Sequence, residues 1–265
     1  MQPELNYYEL GEGVTAFSST RRGGYSKGSY GEFNINRYCG DDEEAIRQNR
    51  ELLCELLGIS DHQLVMPHQV HQTGIAVIDT AFMQLSEEER QASLEGKDAL
   101  MTDMPGVCIG ISTADCIPVL LYDRVHHASC AIHAGWRGTV KRIVEQAVAK
   151  MTVVYDTKPG ELMAQIGPGI HLESFEVGDE VYDAFCQEGF QMNVMSRLFI
   201  TADGYHRKWH IDLPACNRLQ LMSSGVPSSK IAVSDVCTFQ QHETYFSARW
   251  LGINSGRIFT GILLR

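Results

Sequence analysis

Apolar side chains recur at helical spacing in several segments of the chain. The clearest series follows Thr139, a good N-cap residue, with apolar positions at i, i+3, i+4, i+7, i+8 and i+11 between Val140 and Met151. This stripe predicts one amphipathic helix of about three turns. Ser86 and Glu89 can form a capping box, which marks the start of a shorter helix. Together these signals predict further helices over residues 43–57 (closed by Gly58), 86–94, 178–186 and 213–223.

Short runs of β-branched and other apolar residues predict strands. Three of them, residues 107–112, 117–122 and 128–132, are separated by loops of four to five residues, which is typical of a meander. Further strands are predicted at 75–78, from 231 onwards, at 245–250 and at 258–263. A hairpin turn is predicted at 202–205. Helices and strands mixed without strict alternation favour an α+β fold with a mostly antiparallel sheet.

The second and third runs of this meander bring two reactive side chains together. With a turn near residues 123–126, an antiparallel hairpin pairs residues whose numbers add up to about 249, as those of Cys116 and His133 do. Opposed residues of such a pair have Cα atoms about 4.5 to 5.5 Å apart and side chains on one face. A thiolate and an imidazole, two common zinc ligands, are therefore expected side by side. The alternative is a buried structural thiol beside a hydrogen-bonded core histidine.

A third ligand is available from His68 or His71. Their spacing does not place both on one metal ion, so we expect one of them to bind, and the spacing does not say which. A His/Cys/His set leaves the fourth position open, as in catalytic zinc sites.

Two glycine-containing loops are candidate anion sites. Gly135 and Arg137 lie directly before the predicted helix, whose N-terminus and dipole favour an anion. In the segment 21–28, Arg21 stands before Gly23 and Gly24, and glycines let the backbone approach a ligand closely. The alternative for both loops is ordinary turn structure with solvated arginines.

Composition and charge narrow the class of protein. The 265 residues are 44% apolar and contain no visible repeat or linker, so one unit over residues 1–265 is expected. The formal net charge of −11 argues against a nucleic-acid or membrane-surface partner. The most apolar stretch, 107–122, contains Asp115 and is too short for a membrane span. Eight dispersed cysteines and an N-terminus without a signal sequence predict a cytoplasmic protein with free thiols.

Several motifs, taken together, are specific. They include TADC at 113–116, HAGWRG at 133–138, Gln69-Val70-His71 and Cys237-Thr238. Others are found at 20–26, Asn34, 39–41, 166–168, 175–178 and 246–247. Over nearly its whole length the chain resembles the YfiH family of bacterial proteins, which is named both for laccase or polyphenol oxidase domains and for purine nucleoside phosphorylases.

The resemblance implies a four-layer α/β/β/α fold and a zinc ion held by His71, Cys116 and His133. It implies His71 rather than His68 as the third ligand. The implied activity is phosphorolysis of adenosine, inosine, guanosine and methylthioadenosine, together with deamination of adenosine. Purine nucleosides and phosphate are the implied partners. The chain departs from the family pattern at Gln72, where glycine is usual, and at Trp250, where a second arginine commonly follows.

Further site residues follow from the resemblance and the chemistry it implies. Arg21 and Arg137 are candidates for binding phosphate or ribose, and Gly23, Gly24 and Asn34 are candidate substrate contacts. Cys116, His133 and Asp115 are the candidate catalytic residues, with Asp115 as a proton carrier. Alternatively, Asp115 orients loop N–H groups.

Two other functions remain open. The older family name suggests a copper-dependent polyphenol oxidase, with copper in place of zinc. The chain, however, lacks the clustered histidines of multi-copper sites. A metal-free hydrolase would use Cys116 as nucleophile and His133 as base, because such pairs need the same proximity as metal ligands.

Overall fold

Fourteen strands and nine α-helices are found in residues 2–201, 204 and 206–265, which the computed structural model describes. The strands are β1 (Leu5–Tyr8), β2 (Val14–Ser19), β3 (Leu64–Val65), β4 (Ile75–Val77), β5 (Ala99–Thr102), β6 (Cys108–Thr113), β7 (Ile117–Asp123), β8 (Ala128–Ala134), β9 (Met163–Ile166), β10 (Glu176–Val177), β11 (Ser196–Ile200), β12 (Arg207–Ile211), β13 (Ile231–Val233) and β14 (Ile258–Leu264). The helices are α1 (Glu43–Leu57), α2 (Thr80–Met83), α3 (Glu87–Leu94), α4 (Trp136–Val140), α5 (Ile143–Tyr155), α6 (Asp179–Gln187), α7 (Met192–Met195), α8 (Leu213–Ser223) and α9 (Ala248–Leu251).

Two large sheets pack face to face, and helices cover their outer faces. The six-stranded sheet has the order β13-β9-β7-β8-β5-β4, and the five-stranded sheet has the order β1-β2-β14-β6-β3. Helices α5 and α8 pack on the first sheet, and α1 packs on the second. Most strand pairs are antiparallel, with parallel pairs near the edges, and a separate sheet β10-β12-β11 adds three strands. The predicted α+β class and the four-layer arrangement implied by the resemblance are confirmed.

The central strands are buried on both faces. In β8, Cys130 and Ile132 belong to the apolar cluster beneath α5, whereas Ala131 belongs to the cluster between the sheets. In β7, Leu121 belongs to the cluster beneath α5 and Leu120 belongs to the cluster between the sheets. Successive strand side chains point to opposite faces, so strands covered on both sides form continuous apolar runs in the sequence.

Capping residues set the ends of the predicted helices. The Asp42 side chain accepts a hydrogen bond from the backbone N–H of Ala45 at the start of α1, and Gly58 ends α1 in the left-handed region at φ 68°. Ser86 and Glu89 form the predicted capping box at α3. The predictions for α1 and α8 are confirmed at both ends.

Two predictions about strands are wrong. Strand β6 lies in the five-stranded sheet, whereas β7 and β8 lie in the six-stranded sheet, so the three strands form no meander. A buried apolar run indicates a strand but not the sheet to which it belongs. The segment 245–250, predicted as a strand, instead enters helix α9.

The helix predicted to follow Thr139 is divided into two. Helix α4 begins at Trp136 with Gly135 as its N-cap, so Thr139 lies inside it. Arg142 then adopts the left-handed conformation at φ 61° and separates α4 from α5. The apolar spacing continues across this break, which is why the sequence does not indicate it.

Residues 202, 203 and 205 of the predicted turn lie outside the described part of the chain. Strand β11, before the turn, pairs antiparallel with strand β12, after the turn. None of the helices in the described residues has the length and apolar character needed to cross a membrane.

Candidate active site

The hairpin of β7 and β8 brings Cys116 and His133 together, although not in the predicted register. His133 pairs with Pro118, so paired numbers add up to 251 rather than 249. The turn contains residues 124–127, and the Asp123 side chain stabilises it by accepting hydrogen bonds from the backbone N–H groups of residues 125 and 126. The predicted direct pairing is therefore wrong. Cys116 and His133 are diagonal neighbours, which still lie within side-chain reach.

His71 completes a cluster of three metal-ligating side chains with Cys116 and His133. Their ligand atoms all lie within 4.8 Å of one another. The rings of His71 and His133 meet edge to face, with centroids 4.8 Å apart. His68 lies outside this cluster, and its Nδ1 hydrogen-bonds the Glu95 carboxylate at 2.8 Å. Of the two histidines left open by the spacing, the structure places His71 beside the thiol and the imidazole.

A buried carboxylate, Asp98, holds two of these three residues in place. Its Oδ1 accepts hydrogen bonds from the His71 backbone N–H at 2.9 Å and from His133 Nδ1 at 2.7 Å. Its Oδ2 accepts from the Gln72 backbone N–H at 2.7 Å. An ionised carboxylate can only accept, so Nδ1 of His133 carries a proton, and Nε2 is the ring nitrogen that can act as a ligand once it is deprotonated. Gln72, at a position where the family usually has glycine, fits this turn through its backbone.

Charges within the cluster favour an ionised thiol. Burial by itself raises the pKa of Cys116, but the charge and hydrogen bonds of His133 and His71 outweigh it and bring the pKa to about 6. Burial lowers the pKa of His133, but the Cys116 thiolate and Asp98 outweigh burial and raise it to about 9. Burial likewise raises the pKa of Asp98, whereas hydrogen bonds from His133 and nearby backbone N–H groups hold it below its usual value. A thiolate and two imidazoles form a donor set that fits a zinc ion.

Gly135 forms one wall of the cluster. A Cβ atom built on it would lie 3.0 Å from Cys116 Sγ and 3.1 Å from His71 Cδ2. Both distances are shorter than ordinary van der Waals contacts, so a larger residue would displace the ligands. Its small size therefore allows the loop before α4 to pass close to the cluster.

The cluster opens into a pocket of about 280 Å³. Besides the three clustered residues, side chains that line it include Asn36, Tyr38, Ser112, Thr113, Ile253 and Arg257. No carboxylate of the described residues contributes to this lining. The pocket is small for a drug-sized ligand and lies near the lower size limit of small-molecule sites.

The candidate anion loop at 21–28 is held by contacts within the protein. Arg21 Nε donates to the Gly31 carbonyl at 2.8 Å and Nη1 donates to the His242 carbonyl at 2.9 Å. A Cβ on Gly23 would lie 2.1 Å from the Gln2 carbonyl oxygen, and one on Gly24 would lie 2.4 Å from that of Glu32. These glycines allow close packing of the chain on itself, and none of the three residues lines the pocket.

Asn34 is fully buried and its amide is engaged on both sides. Nδ2 donates to Asp41 Oδ2 at 2.9 Å, and Oδ1 accepts from the backbone N–H groups of Asn36 at 3.2 Å and Arg257 at 3.1 Å. Asn34 therefore supports two residues that line the pocket rather than lining it itself. Its predicted substrate contact remains a prediction.

Arg137 is exposed, and its guanidinium lies over the ring of Trp136, 4.2 Å from the ring centroid. It is not part of the pocket lining. Its predicted contact with phosphate remains a prediction.

The Asp115 carboxylate binds two segments of the C-terminal region. Oδ1 accepts from the Thr238 hydroxyl at 2.8 Å, and Oδ2 accepts from the backbone N–H of Arg249 in α9 at 2.7 Å. Both oxygens point to these partners, as in the alternative in which Asp115 orients loop N–H groups. Trp250, at the other departure from the family pattern, stacks on His242 with centroids 3.8 Å apart.

Sequence reasoning missed Asp98 and Arg257. Asp98 directly precedes the apolar run of β5, and an acidic residue bordering such a run is a weak sign of a buried carboxylate. Arg257 precedes β14, and only the pairing of Ile258 with Thr113 places it beside the TADC motif. That pairing joins residues too far apart in the sequence for spacing to indicate it.

With this geometry established, known proteins provide a comparison. Residues 15–265 match the family described as multi-copper polyphenol oxidoreductase laccase. The chain belongs to this laccase-domain family.

A protein from Bacteroides thetaiotaomicron named purine nucleoside phosphorylase is 46% identical over 253 residues, covering 95% of this chain and 92% of that protein. A protein from an unknown prokaryote named adenosine deaminase RL5 is 42% identical over 259 residues, covering 98% and 97%. The crystal structure of YfiH from Bacillus licheniformis superposes with a TM-score of 0.85 at 28% identity, covering 95% and 93%. The resemblance to the YfiH branch of the laccase-domain family is thereby confirmed.

Proposed function

We propose that this chain is a zinc-dependent purine nucleoside phosphorylase that also deaminates adenosine. The proposed nucleosides are adenosine, inosine, guanosine and methylthioadenosine. The names of the two relatives support the reaction class. The observation that carries the proposal is the cluster of His71, Cys116 and His133, which lies at a pocket free of carboxylates among the described residues.

His71, Cys116 and His133 would hold the zinc ion. When bound, a zinc ion with three protein ligands supplies Lewis-acid chemistry at its open fourth position. The chain's own residues prepare this position. Asp98 keeps the proton on Nδ1 of His133, which directs Nε2 to the cluster, and its contacts with the turn at His71 hold the second imidazole.

The walls of the pocket suit a purine nucleoside. Tyr38 and His68 stack with ring centroids 4.3 Å apart and form a flat aromatic surface, and the Glu95 carboxylate fixes His68. Flat aromatic surfaces bind planar bases by stacking. Asn36 Nδ2 donates to Ser112 Oγ at 2.6 Å, which adds polar groups suited to ribose hydroxyls.

In phosphorolysis, a phosphate oxygen forms a bond to C1′ of the ribose while the bond from C1′ to N9 breaks. The electron pair leaves with the purine, which takes up a proton. The pocket contributes by holding phosphate and nucleoside in register, since orientation removes much of the entropic barrier. In deamination, water adds to C6 of adenosine and ammonia leaves.

The test combines metal analysis with two product assays on protein purified without a His-tag. We expect bound zinc, phosphate-dependent release of hypoxanthine from inosine, and release of ammonia from adenosine. Cys116→Ala and His133→Ala should each lose the metal and both activities while retaining the circular dichroism of the folded chain. A wild-type protein that releases neither base nor ammonia would contradict the proposal.

One observation favours a second candidate, the metal-free hydrolase. Cys116, His133 and Asp98 form a thiol, imidazole and carboxylate series, with His133 Nδ1 2.7 Å from Asp98 Oδ1. Nucleophilic cysteines use the same series. Removal of metal by a chelator separates the two candidates, because the hydrolase would remain active whereas the zinc enzyme would lose activity and regain it with added zinc.

The copper oxidase has less support. Within the described residues, a single His/Cys/Asp/Glu group has the geometry for a metal ion, whereas a multi-copper site needs several. We also place the enzyme in the cytoplasm, because all eight cysteines are free thiols. The excess of acidic residues supports small-molecule partners rather than nucleic acid or membranes.

A further inference from the structure

The pocket beside the cluster is lined by an arginine and by no carboxylate of the described residues, in a chain that is negative overall. The arginine is Arg257, whereas the chain has a formal net charge of −11. A concave wall with a guanidinium and without a carboxylate favours an anionic ligand.

The Arg257 guanidinium is held in one orientation by the loop that precedes it. Nη1 donates to the carbonyls of Ser255 and Gly256, and Nη2 donates to the Ile253 carbonyl at 2.8 Å. The Arg257 backbone N–H donates to Asn34 Oδ1 at 3.1 Å. Among the described residues no acceptor binds Nε, so this donor is available to a ligand.

A buried hydroxyl with no partner among the described residues belongs to the same pocket as Arg257. Thr113 is 1% exposed, lines the same pocket, and its Oγ1 has no hydrogen-bond partner among the described residues. Thr113 pairs with Ile258 in the ladder of β6 and β14, and Arg257 directly precedes Ile258, so the two residues reach the same pocket from neighbouring segments. A buried hydroxyl without a hydrogen bond is costly, so a ligand oxygen that reaches this atom would stabilise the site.

The other arginines considered for this role lie elsewhere. Arg21 donates to two backbone carbonyls, and Arg137 lies on the ring of Trp136. Neither lines the pocket.

We propose that Arg257 and Thr113 form the subsite that binds the tetrahedral oxyanion, with inorganic phosphate as its ligand. This assignment rests on the proposed phosphorolysis and specifies where the second substrate binds. Arg257 supplies the charge, Thr113 supplies a hydroxyl donor, and Asn34 positions Arg257 through its backbone.

The experiment measures KM for phosphate and for inosine in the zinc-loaded wild type and in Arg257→Gln. We expect the KM for phosphate to rise about 10- to 150-fold, the loss associated with one charge-assisted hydrogen bond, with a smaller change for inosine. Titration calorimetry with inorganic phosphate should show the same loss of affinity. Arg142→Gln is the matched control, since Arg142 also donates to a loop carbonyl, that of Glu188, but lies outside the pocket.

Thr113→Val provides a second, independent readout. The substitution keeps the shape and removes an unpartnered buried hydroxyl, so the melting temperature should remain equal or rise. The KM for phosphate should nevertheless rise about 2- to 12-fold, the loss associated with one neutral hydrogen bond. A purely structural role for Thr113 would not raise KM in a protein of equal or greater stability.

Distinct outcomes contradict the assignment and the proposed function. Normal phosphorolysis with an unchanged KM for phosphate in both variants would overturn the assignment alone. An increase in Arg137→Gln but not in Arg257→Gln would move the phosphate site to the start of α4. Arg257-dependent binding of inosine 5′-monophosphate without binding of inorganic phosphate would overturn phosphate as the ligand. No phosphate-dependent release of base by the wild type would contradict the proposed function instead.

Discussion

Asp98 organises the candidate metal centre through four hydrogen bonds from two different segments, one of them from the Val70 backbone N–H. Its carboxylate accepts from His133 Nδ1 and from the backbone N–H groups of His71 and Gln72. Each carboxylate oxygen accepts two hydrogen bonds, so in Asp98→Asn two of these donors would face an amide NH₂ group. We expect zinc affinity to fall about 10- to 100-fold, as for other residues that support metal ligands. Competition with a chromophoric zinc chelator measures this change.

Asp123 offers a matched control for this substitution. It is also fully buried and accepts hydrogen bonds from a histidine ring, that of His126, and from two backbone N–H groups. Asp123→Asn should therefore lower stability without changing zinc affinity. Equal affinity in Asp98→Asn and wild type would show that Asp98 serves the fold and not the metal centre.

Gly135 leads to a second prediction for a single residue. In Gly135→Ala the new methyl group would lie 3.0 Å from Cys116 Sγ and 3.1 Å from His71 Cδ2, so the ligands must separate. We expect loss of stoichiometric zinc with little change in circular dichroism, measured by metal analysis after gel filtration. Gly160→Ala, where a Cβ meets no atom within 4 Å, should bind zinc as the wild type does. Full zinc content in Gly135→Ala would contradict the close approach of this loop.

At the scale of elements, local signals predict helix ends and strands well, but register and pairing poorly. The bounds of α1 follow from Asp42 and Gly58, which act within a few residues. The register of the β7–β8 hairpin depends on a four-residue turn held by Asp123, for which the sequence has no glycine signal. The break between α4 and α5 depends on Arg142 in a left-handed conformation, which few arginines adopt.

The contact of Asp115 with helix α9 leads to a prediction for that element. Asp115 is in the left-handed region at φ 86°, which asparagine tolerates, so Asp115→Asn keeps the turn but removes the charge. The hydrogen bonds to Thr238 and to the Arg249 N–H should weaken, lowering the free energy of unfolding by about 1 to 3 kcal/mol. We expect KM to rise and kcat to change little, measured by denaturant unfolding and steady-state kinetics.

The alternative role of Asp115 as proton carrier predicts the opposite kinetic pattern. Loss of a general acid or base reduces kcat about 100-fold or more, with the fold unaffected. Ser247→Ala is the control, because Ser247 caps α9 through the Trp250 N–H. The Asp115 carboxylate binds Thr238 and the Arg249 N–H instead, so loss of the Ser247 cap weakens the same helix by a different contact. Similar kinetics in the two variants would assign Asp115 to positioning, whereas a large fall in kcat confined to Asp115→Asn would assign it to catalysis.

At the scale of the whole molecule, the class of fold is predictable but its assembly is not. The mixture of helices and antiparallel strands indicates an α+β fold, and only the motif resemblance implied four layers. The site is assembled from segments far apart in the chain, from Asn36 to Arg257. Spacing found Cys116 and His133 because one hairpin joins them. It left His71 and His68 unresolved and missed Asp98 and Arg257, because their positions depend on pairing between distant segments.

The charge of the whole molecule leads to a last prediction. A net charge of −11 repels phosphate at long range, whereas Arg257 attracts it at contact. Raising the ionic strength from about 0.01 to 0.15 M shortens the Debye length from about 30 to 8 Å, which screens distant charges far more than a contact in the pocket. We therefore expect the KM for phosphate to fall several-fold over this range, while the KM for uncharged inosine stays constant. Initial rates in chloride and in acetate salts measure both, and the two salts control for anion competition. A KM for phosphate that rises with salt would mean that local attraction, rather than the overall charge, dominates the approach of this substrate.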